Sequence, residues 1–212
     1  VASNIGRNKR TKVEYELATR KEVKEIYANP DYDVDGLDYS EKRKVLTAAY
    51  YTSWKGEEHF LDKESEADYN KMKEKFKGYE IGIYGNNNAE DKFVVWTGND
   101  KVAAKYYYFD KKTGETKFLA DAFPWLKEEN MATMKPVEYK SRDGLTIHGY
   151  LTLPKGYEAK GLPVVINPHG GPWARDDWGF NTEAQMFANR GYAVLQMNFR
   201  GSTGYGKEFW LK

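Results

Sequence analysis

The sequence predicts a mixed fold, in which a β-rich first part over residues 1–133 precedes an α/β second part over residues 134–212. Two observations carry this prediction. Short runs that alternate between polar and apolar residues fill much of the first part, as in half-buried strands. Two continuous apolar runs, at 162–167 and 192–199, then flank a helix-like segment, which is the pattern of a strand–helix–strand unit with parallel strands.

Several strands are predicted in the first part, separated by turns rich in Asn, Asp and Gly. They span residues 11–17, 34–39, 45–52, 79–84, 92–97, 104–109 and 115–119. The turn at 110–114 is expected to join the last two as a hairpin. Short strands at this spacing are typical of a sandwich, a barrel or propeller blades.

One helix is expected to interrupt these strands, at about residues 63–77. Asp62 is a candidate N-cap, and Gly78 lies just beyond the other end. The apolar side of this helix is a narrow stripe, and its other positions are mostly charged. That pattern predicts a helix on the surface of the β-rich part.

The second part follows a proline-containing and acidic link near residues 125–135. Residues 137–139 and 145–153 are expected to pair as a hairpin across the turn at 141–144. Residues 182–190 supply the crossover helix, which Gly191 ends. The two apolar runs on either side of it are expected to be strands covered on both faces of their sheet.

Composition excludes several classes of function. Lys+Arg 33 against Asp+Glu 32 leaves a net charge of +1, so neither nucleic acid nor an anionic membrane is expected as a partner. The 212 residues contain no cysteine and no apolar run of membrane-spanning length. The first residues resemble no signal peptide and lack an initiator Met, which suggests a piece of a longer chain. A soluble protein is expected; its compartment is not determined, with the cytoplasm favoured.

A glycine turn directly after the first apolar run is the strongest functional signal. Ligands of open α/β sheets bind beyond the carboxyl ends of strands, which is where His169, Gly170 and Gly171 stand. Glycine lets a backbone amide approach a developing oxyanion closely, because it has no Cβ. The turn therefore suggests an acyl-transfer enzyme of the α/β-hydrolase type.

Three motifs follow one another in the second part: SRDGLTIHGYL at 141–151, NPHGGPWARD at 167–176 and NFRGSTGYG at 198–206. Together they resemble the prolyl oligopeptidase family of serine peptidases, and within it the acylaminoacyl-peptidase branch. The resemblance implies the last blades of a β-propeller followed by the first part of an α/β-hydrolase domain. It also implies hydrolysis of short peptides or N-acylated peptides, with the amide of Gly171 as one oxyanion donor and with Gly170 and His169 in the oxyanion loop. A peptide substrate is the expected partner, and no cofactor or metal is expected.

The catalytic triad is not present in these 212 residues. None of the six serines has glycine at both i−2 and i+2, which the nucleophile elbow requires. Ser202 follows Arg200 at i−2, and the last histidine, His169, precedes it in the chain. We therefore expect the chain to be an inactive fragment of a serine peptidase. Two alternatives are an esterase or lipase on the same scaffold and a non-catalytic binding module.

Several residues near the glycine turn have two interpretations. His169 is either a general base or, as we favour, a turn residue that shapes the loop. Arg175 either binds a peptide terminus or forms a salt bridge within its loop. Trp173 and Trp178 either line a substrate pocket or pack within the loop. The glycines at 201–206 do not follow the dinucleotide-binding order.

Two further expectations concern a cation and a partner. Residues 31–36, DYDVDG, match the first half of a calcium loop, but Lys42 replaces the required Glu, so a turn that enters a strand is favoured. In the family's sheet, the strand at 164–167 is flanked by a later strand that these residues do not encode. Its unpaired apolar edge predicts self-association, or pairing with the remainder of a longer chain.

Overall fold

The computed structural model describes residues 1–171 and 173–212. These residues form four open sheets, three of them in the first part of the chain and one in the second. Adjacent strands of the first three sheets pair antiparallel in sequence order, so local turns connect all of them.

The first sheet contains β1 (Ala2–Ser3), β2 (Thr11–Glu16) and β3 (Lys21–Tyr27). The second contains β4 (Val34–Ser40), β5 (Val45–Thr52) and β6 (Gly56–Phe60). The third contains β7 (Glu80–Asn86), β8 (Lys92–Gly98), β9 (Lys105–Asp110) and β10 (Thr116–Asp121). Three of these strands, β1, β3 and β6, are not predicted from the sequence. Both β3 and β6 are dominated by charged and polar residues, so the pairing with their neighbours, and not apolar alternation, determines these strands.

Helix α1 (Lys63–Lys75) lies where the sequence predicts a helix. The carboxylate of Asp62 accepts a hydrogen bond from the Ser65 N–H at 2.9 Å, as an N-cap does. Gly78, just past the helix, has φ +89°, a conformation that favours glycine. The narrow apolar stripe is buried at Met72 and Phe76, which pack on the third sheet; the apolar cluster they join comprises Met72, Phe76, Ile81, Phe93, Val95 and Phe109.

The second part of the chain forms a mixed sheet in the order β11, β12, β14, β13. Its strands are β11 (Thr133–Lys140), β12 (Thr146–Leu153), β13 (Val164–Ile166) and β14 (Ala193–Asn198). β11 and β12 form the antiparallel hairpin, while β13 and β14 are parallel and connected by α2 (Thr182–Ala188). Gly191 follows that helix with φ +87°, and α3 (Lys207–Trp210) lies near the end of the described residues. Across 1–171 and 173–212, no helix is long and apolar enough to cross a membrane.

The two parallel strands differ in burial, which corrects one expectation. β14 is covered as predicted, with Val194 completely buried. β13 is not, because Val164 is 56% exposed and Ile166 is 54% exposed. The physical reason is position: β13 lies at the edge of the sheet and pairs only with β14 among the described strands. An apolar sequence alone does not distinguish a central strand from an edge strand.

Candidate active site

Two loops meet at the carboxyl ends of the parallel strands. The loop after β13 carries His169, Gly170 and Gly171, and the loop after β14 runs from Phe199 to Gly206. The Thr203 N–H donates to the Ala174 carbonyl at 3.0 Å, so the two loops are joined by backbone as well as by side chains. Sites of open α/β sheets form at this edge, and the sequence-predicted residues of the glycine turn all lie here.

Gly171 has a backbone conformation that only glycine adopts comfortably. Its φ is +138°, and a Cβ at this position would lie 2.7 Å from the backbone nitrogen of Trp173. The residue is exposed, and within 1–171 and 173–212 its N–H has no hydrogen-bond acceptor. An exposed amide without an intramolecular acceptor has the property that an oxyanion donor needs.

His169 is held by contacts on both ring nitrogens and on one ring face. Nδ1 lies 2.8 Å from the Gly170 carbonyl oxygen, and Nε2 lies 2.9 Å from the Ser202 Oγ. The ring stacks on Phe199, with centroids 4.4 Å apart. Ser202 is completely buried, so this His–Ser pair cannot present a nucleophile to a substrate. The arrangement favours the role of a loop-shaping residue over that of a general base.

Arg175 extends from the same loop into the β-rich part of the chain. Its guanidinium donates to the carbonyl oxygens of Thr52 at 3.3 Å and Ser53 at 3.1 Å, and pairs with Asp177 at 2.8 Å. It also lies 4.7 Å above the centre of the Tyr205 ring. The side chain is only 10% exposed, and these partners engage its nitrogens. Of the two interpretations of Arg175, the contacts favour the internal salt bridge over the binding of a peptide terminus.

Asn198, at the end of β14, fixes the backbone of this loop. Its side chain accepts from the Asp176 N–H at 2.7 Å and donates to the Asp176 carbonyl at 3.0 Å and the Tyr205 hydroxyl at 2.8 Å. Asn198 is completely buried. This role of Asn198 is not among those predicted from the sequence. The available signal was a polar residue at the end of a buried apolar strand, because a buried amide requires hydrogen-bond partners.

Asp176 is itself in an unusual environment. Burial raises the pKa of its carboxyl, and the hydrogen bond that Gln196 donates to it at 2.9 Å acts in the opposite direction. The second carboxylate oxygen is buried and has no hydrogen-bond partner among the described residues. Electrostatically, the loop therefore contains a carboxylate that is poorly solvated in its charged form.

The two tryptophans of the loop have different environments. Trp178 donates from Nε1 to the Met134 carbonyl at 3.1 Å and packs edge-on against Trp54, so it has a packing role. Trp173 is 70% exposed and contacts Trp210 with ring centroids 5.6 Å apart. Both Trp173 and Trp210 line a cavity of about 240 Å³. Trp173 is therefore the one of the pair that a ligand can reach.

The acidic segment at 31–36 is engaged by neighbouring backbone and side chains. Asp33 accepts from the Arg10 N–H at 2.6 Å and from the Gly206 N–H at 3.3 Å. Asp35 pairs with the Arg10 guanidinium at 3.1 Å. Within residues 1–171 and 173–212, no group of three or more His, Asp or Glu side chains could hold a metal ion. These contacts favour the turn interpretation over a calcium loop.

Comparisons with known proteins support an assignment to a family. The model of the prolyl oligopeptidase family matches residues 178–211. Dipeptidyl aminopeptidase BIII of Pseudoxanthomonas mexicana is 46% identical over 111 residues, which cover 49% of this chain and 16% of that protein. Dipeptidyl peptidase family member 6 of Caenorhabditis elegans is 32% identical over 137 residues, which cover 54% of this chain and 18% of that protein. The chain thus spans less than a fifth of the length of these relatives.

Solved structures share the fold at lower identity. A structure from a study of two prolyl endopeptidases matches with a TM-score of 0.69 at 15% identity. The aligned region covers 99% of this chain and 31% of the endopeptidase chain. The acylaminoacyl peptidase of Pyrococcus horikoshii matches with a TM-score of 0.58 at 21% identity. The aligned region covers 96% of this chain and 30% of that peptidase chain. The predicted fold class, propeller blades followed by the first part of an α/β-hydrolase domain, is confirmed. Together, the family match over residues 178–211, the two relatives and the shared fold make this chain similar to part of a serine peptidase of the prolyl oligopeptidase family.

Proposed function

We propose that this chain is part of a serine peptidase that cleaves short peptides through an acyl-enzyme, and that Gly171 supplies one oxyanion donor. In that reaction a serine oxygen bonds to the scissile carbonyl carbon while a histidine takes the serine proton. The carbonyl oxygen becomes an oxyanion, the C–N bond breaks, and the proton passes to the leaving amine. Water then hydrolyses the ester. Gly171 is an exposed residue whose N–H has no acceptor among the described residues, and this observation carries the proposal.

The substrate class that we propose is a peptide with a free amino terminus, from which a dipeptide is released. The support is the 46% identity with a protein named dipeptidyl aminopeptidase BIII. An N-acylated peptide is the second candidate, and the motif resemblance to acylaminoacyl-peptidases favours it. The amino-terminal nitrogen is charged in the first substrate class and neutral in the second. Rates measured on two substrates that differ only by acetylation of this nitrogen therefore distinguish the two candidates.

We propose that the 212 residues alone are inactive, since no serine among them stands at a nucleophile elbow. Without a nucleophile and its base, no covalent route to an acyl-enzyme exists. Incubation with a serine-reactive phosphonate should leave this chain unlabelled. Specific labelling of any one serine would overturn the proposal of inactivity.

The encoding reading frame provides the first test of the whole proposal. A frame that continues into a Gly-x-Ser-x-Gly motif supports the peptidase, whereas a stop codon after Lys212 supports the binding module. The complete protein is then assayed with a dipeptidyl-coumarin substrate, its N-acetylated form and a simple coumarin ester. Hydrolysis of the ester alone would support the esterase or lipase and contradict the peptidase.

Gly171 can be tested against its neighbour in the complete enzyme. A Cβ at Gly171 would clash with backbone at 2.7 Å, while a Cβ at Gly170 would meet nothing within 4 Å. Loss of one oxyanion donor costs about 100-fold in kcat. We therefore expect Gly171→Ala to lower kcat by about that factor with little change in KM, and Gly170→Ala to remain close to wild type. Equal effects of the two substitutions would contradict the donor role of Gly171.

We also propose that the exposed edge of β13 pairs with another polypeptide, either a second copy of this chain or the remainder of a longer one. Val164 and Ile166 are more than half exposed there. Ile166→Lys should lower the apparent mass of the 212-residue chain in concentrated solution, as measured by analytical ultracentrifugation. The control, Leu17→Lys, adds the same charge at an 83% exposed residue outside the strands and should have no effect. A wild-type chain that stays monomeric at high concentration would contradict self-association.

A further inference from the structure

We propose that His169 is a positioning residue that determines the direction of the Gly171 N–H, and that Ser202 fixes the His169 tautomer required for this. The inference rests on the proposed function, because the direction of that amide matters only if it binds an oxyanion. It assigns roles to two side chains that would otherwise be interpreted as a general base and an unused serine.

The first step is the geometry of one peptide group. The Gly170 carbonyl and the Gly171 N–H belong to the same planar unit, and in a trans peptide they point in opposite directions. The His169 ring binds that carbonyl oxygen, with Nδ1 at 2.8 Å. While this hydrogen bond is made, the Gly171 N–H must point away from the imidazole. The exposure of Gly171 agrees with this direction.

The second step is the location of the imidazole proton. A carbonyl oxygen can only accept, so Nδ1 must carry the hydrogen of this bond. In the neutral ring Nε2 is then an acceptor, and the Ser202 hydroxyl at 2.9 Å is the group that donates to it. Ser202 is completely buried, so its hydroxyl does not exchange this bond for one to solvent at its own position. Ser202 therefore stabilises the tautomer that can hold the Gly170 carbonyl.

The third step is the rigidity of the ring. The imidazole stacks on Phe199 at an interplanar angle of 18°, which limits rotation about its Cβ–Cγ bond. Phe199 and Ser202 both belong to the loop after β14, and the Ser202 N–H donates to the Phe199 carbonyl at 3.0 Å. One loop thus controls the orientation of a peptide group in the other loop. The pathway runs from Ser202 to His169, to the Gly170 carbonyl and finally to the Gly171 N–H.

The tautomer can be measured on the 212-residue chain itself. With ¹⁵N-labelled histidine, NMR of the ring nitrogens near neutral pH should show His169 with its hydrogen on Nδ1. Ser202→Ala should shift the ring towards a mixture of tautomers. Single His59→Gln and His148→Gln variants assign the signals, because the chain has only three histidines. A wild-type His169 with its hydrogen on Nε2 would overturn the inference.

The effect on the reaction is measured in the complete enzyme. Asn places an N–H close to the position of the imidazole Nδ1, so His169→Asn can still hold the Gly170 carbonyl, whereas His169→Ala cannot. We expect His169→Ala to lower kcat about 10- to 100-fold with KM nearly unchanged, and His169→Asn to recover most of that loss. A general base would be lost in both variants, so equal kcat values for Asn and Ala would overturn the inference. Ser202→Ala should have a smaller effect of the same kind, and its Tm shows whether the loop remains folded.

A matched control is available at His148, one of the two other histidines. His148 pairs with Glu138 at 2.9 Å and stacks on Tyr205, outside the glycine turn. His148→Ala should leave kcat within about twofold of wild type. A wild-type enzyme without peptidase activity, combined with the Nδ1–H tautomer, would reject the proposed function and retain the positioning geometry. An active enzyme with the Nε2–H tautomer would retain the proposed function and reject the positioning geometry.

Discussion

Two buried regions of this molecule are constructed in different ways. The helix-side cluster beneath α1 (Met72, Phe76, Ile81, Phe93, Val95 and Phe109) is apolar, and its members lie within one continuous stretch of the chain. The polar bracket beneath the glycine turn (Asn198, Ser202, Arg175 and Tyr205) consists of hydrogen-bonding groups. Its Arg175 donates to carbonyl oxygens 122 and 123 residues away.

The difference indicates how each region should respond to substitution. Apolar contacts are non-directional, so a cluster of this kind tolerates a change of shape when volume is conserved. A buried hydrogen-bonding group requires its partner, because an unpaired group costs about 1–3 kcal/mol. We therefore expect that stability depends little on the shape of a side chain in the helix-side cluster, and strongly on the hydrogen-bonding groups of a side chain in the polar bracket.

The largest effect is expected at Asn198. Asn198→Leu has similar volume but leaves the Asp176 N–H without its acceptor, and it removes one hydrogen bond each from the Asp176 carbonyl and the Tyr205 hydroxyl, which keep only their bonds from Arg175. The free energy of unfolding should fall by about 4 kcal/mol. Met72→Leu, the matched apolar exchange in the helix-side cluster, should cost less than about 1.5 kcal/mol. Urea unfolding of both variants measures the contrast, and equal losses would show that the two regions do not differ.

A smaller loss is expected at Arg175. Arg175→Met keeps most of the apolar stem but removes the donors to Thr52 and Ser53 and the partner of Asp177. We expect the free energy of unfolding to fall by about 2 kcal/mol. Arg190→Met is the control, because Arg190 is exposed and its guanidinium donates locally, to the Met186 carbonyl in the last turn of α2. A similar loss in the control would mean that the connection between the two parts contributes little.

The same contrast explains what the sequence could predict. The hairpins of the third sheet, α1 and its Asp62 cap follow from neighbouring residues, so alternation and turn chemistry were sufficient. The glycine turn was predictable because two adjacent glycines directly follow an apolar run, and the positive φ of Gly171 shows that this position does restrict residue type. The salt bridge of Arg175 within its loop was one of two predicted interpretations, but its bonds to Thr52 and Ser53 were not predictable, since backbone carbonyls carry no residue-specific signal. The unpaired edge of β13 was expected, but the exposure of its side chains was not, because the covering of a strand depends on the elements beside it and not on its own apolar residues.

The N-cap of α1 should contribute about 1 kcal/mol, which is a local effect. Asp62→Ala removes the acceptor for the Ser65 N–H, whereas Asp62→Asn keeps a side-chain oxygen in the same place. The difference between the two variants isolates the cap from the ion pair that Asp62 makes with Arg43 at 2.7 Å. Thermal unfolding should place the Asn variant close to wild type and the Ala variant several degrees lower. An Asn variant as unstable as the Ala variant would attribute the effect to the ion pair.

The smallest effects are expected from pH, and they should have opposite signs in the two parts of the chain. In the β-rich part, hydrogen bonds from Lys112 and Asn87 lower the pKa of Asp91 from 3.8 to about 2. A lowered carboxyl pKa contributes stability that is present above the ordinary value and is lost as the pH falls towards 2. In the α/β part, in the loop after β13, burial raises the pKa of Asp176 above 3.8. That contribution is present below the ordinary value and is lost as the pH rises through the raised one.

Urea unfolding across pH 2–7 tests these signs. Asp91→Asn should flatten the loss of stability on acidification between about pH 4 and pH 2, because the folded and unfolded chains then bind equal numbers of protons at that position. Asp176→Asn should instead remove a decrease in stability that accompanies rising pH above about 4. Changes of the same sign in both variants would mean that Asp176 is as well solvated as a surface carboxylate, and the buried, directional character assigned to the loop after β13 would then be wrong.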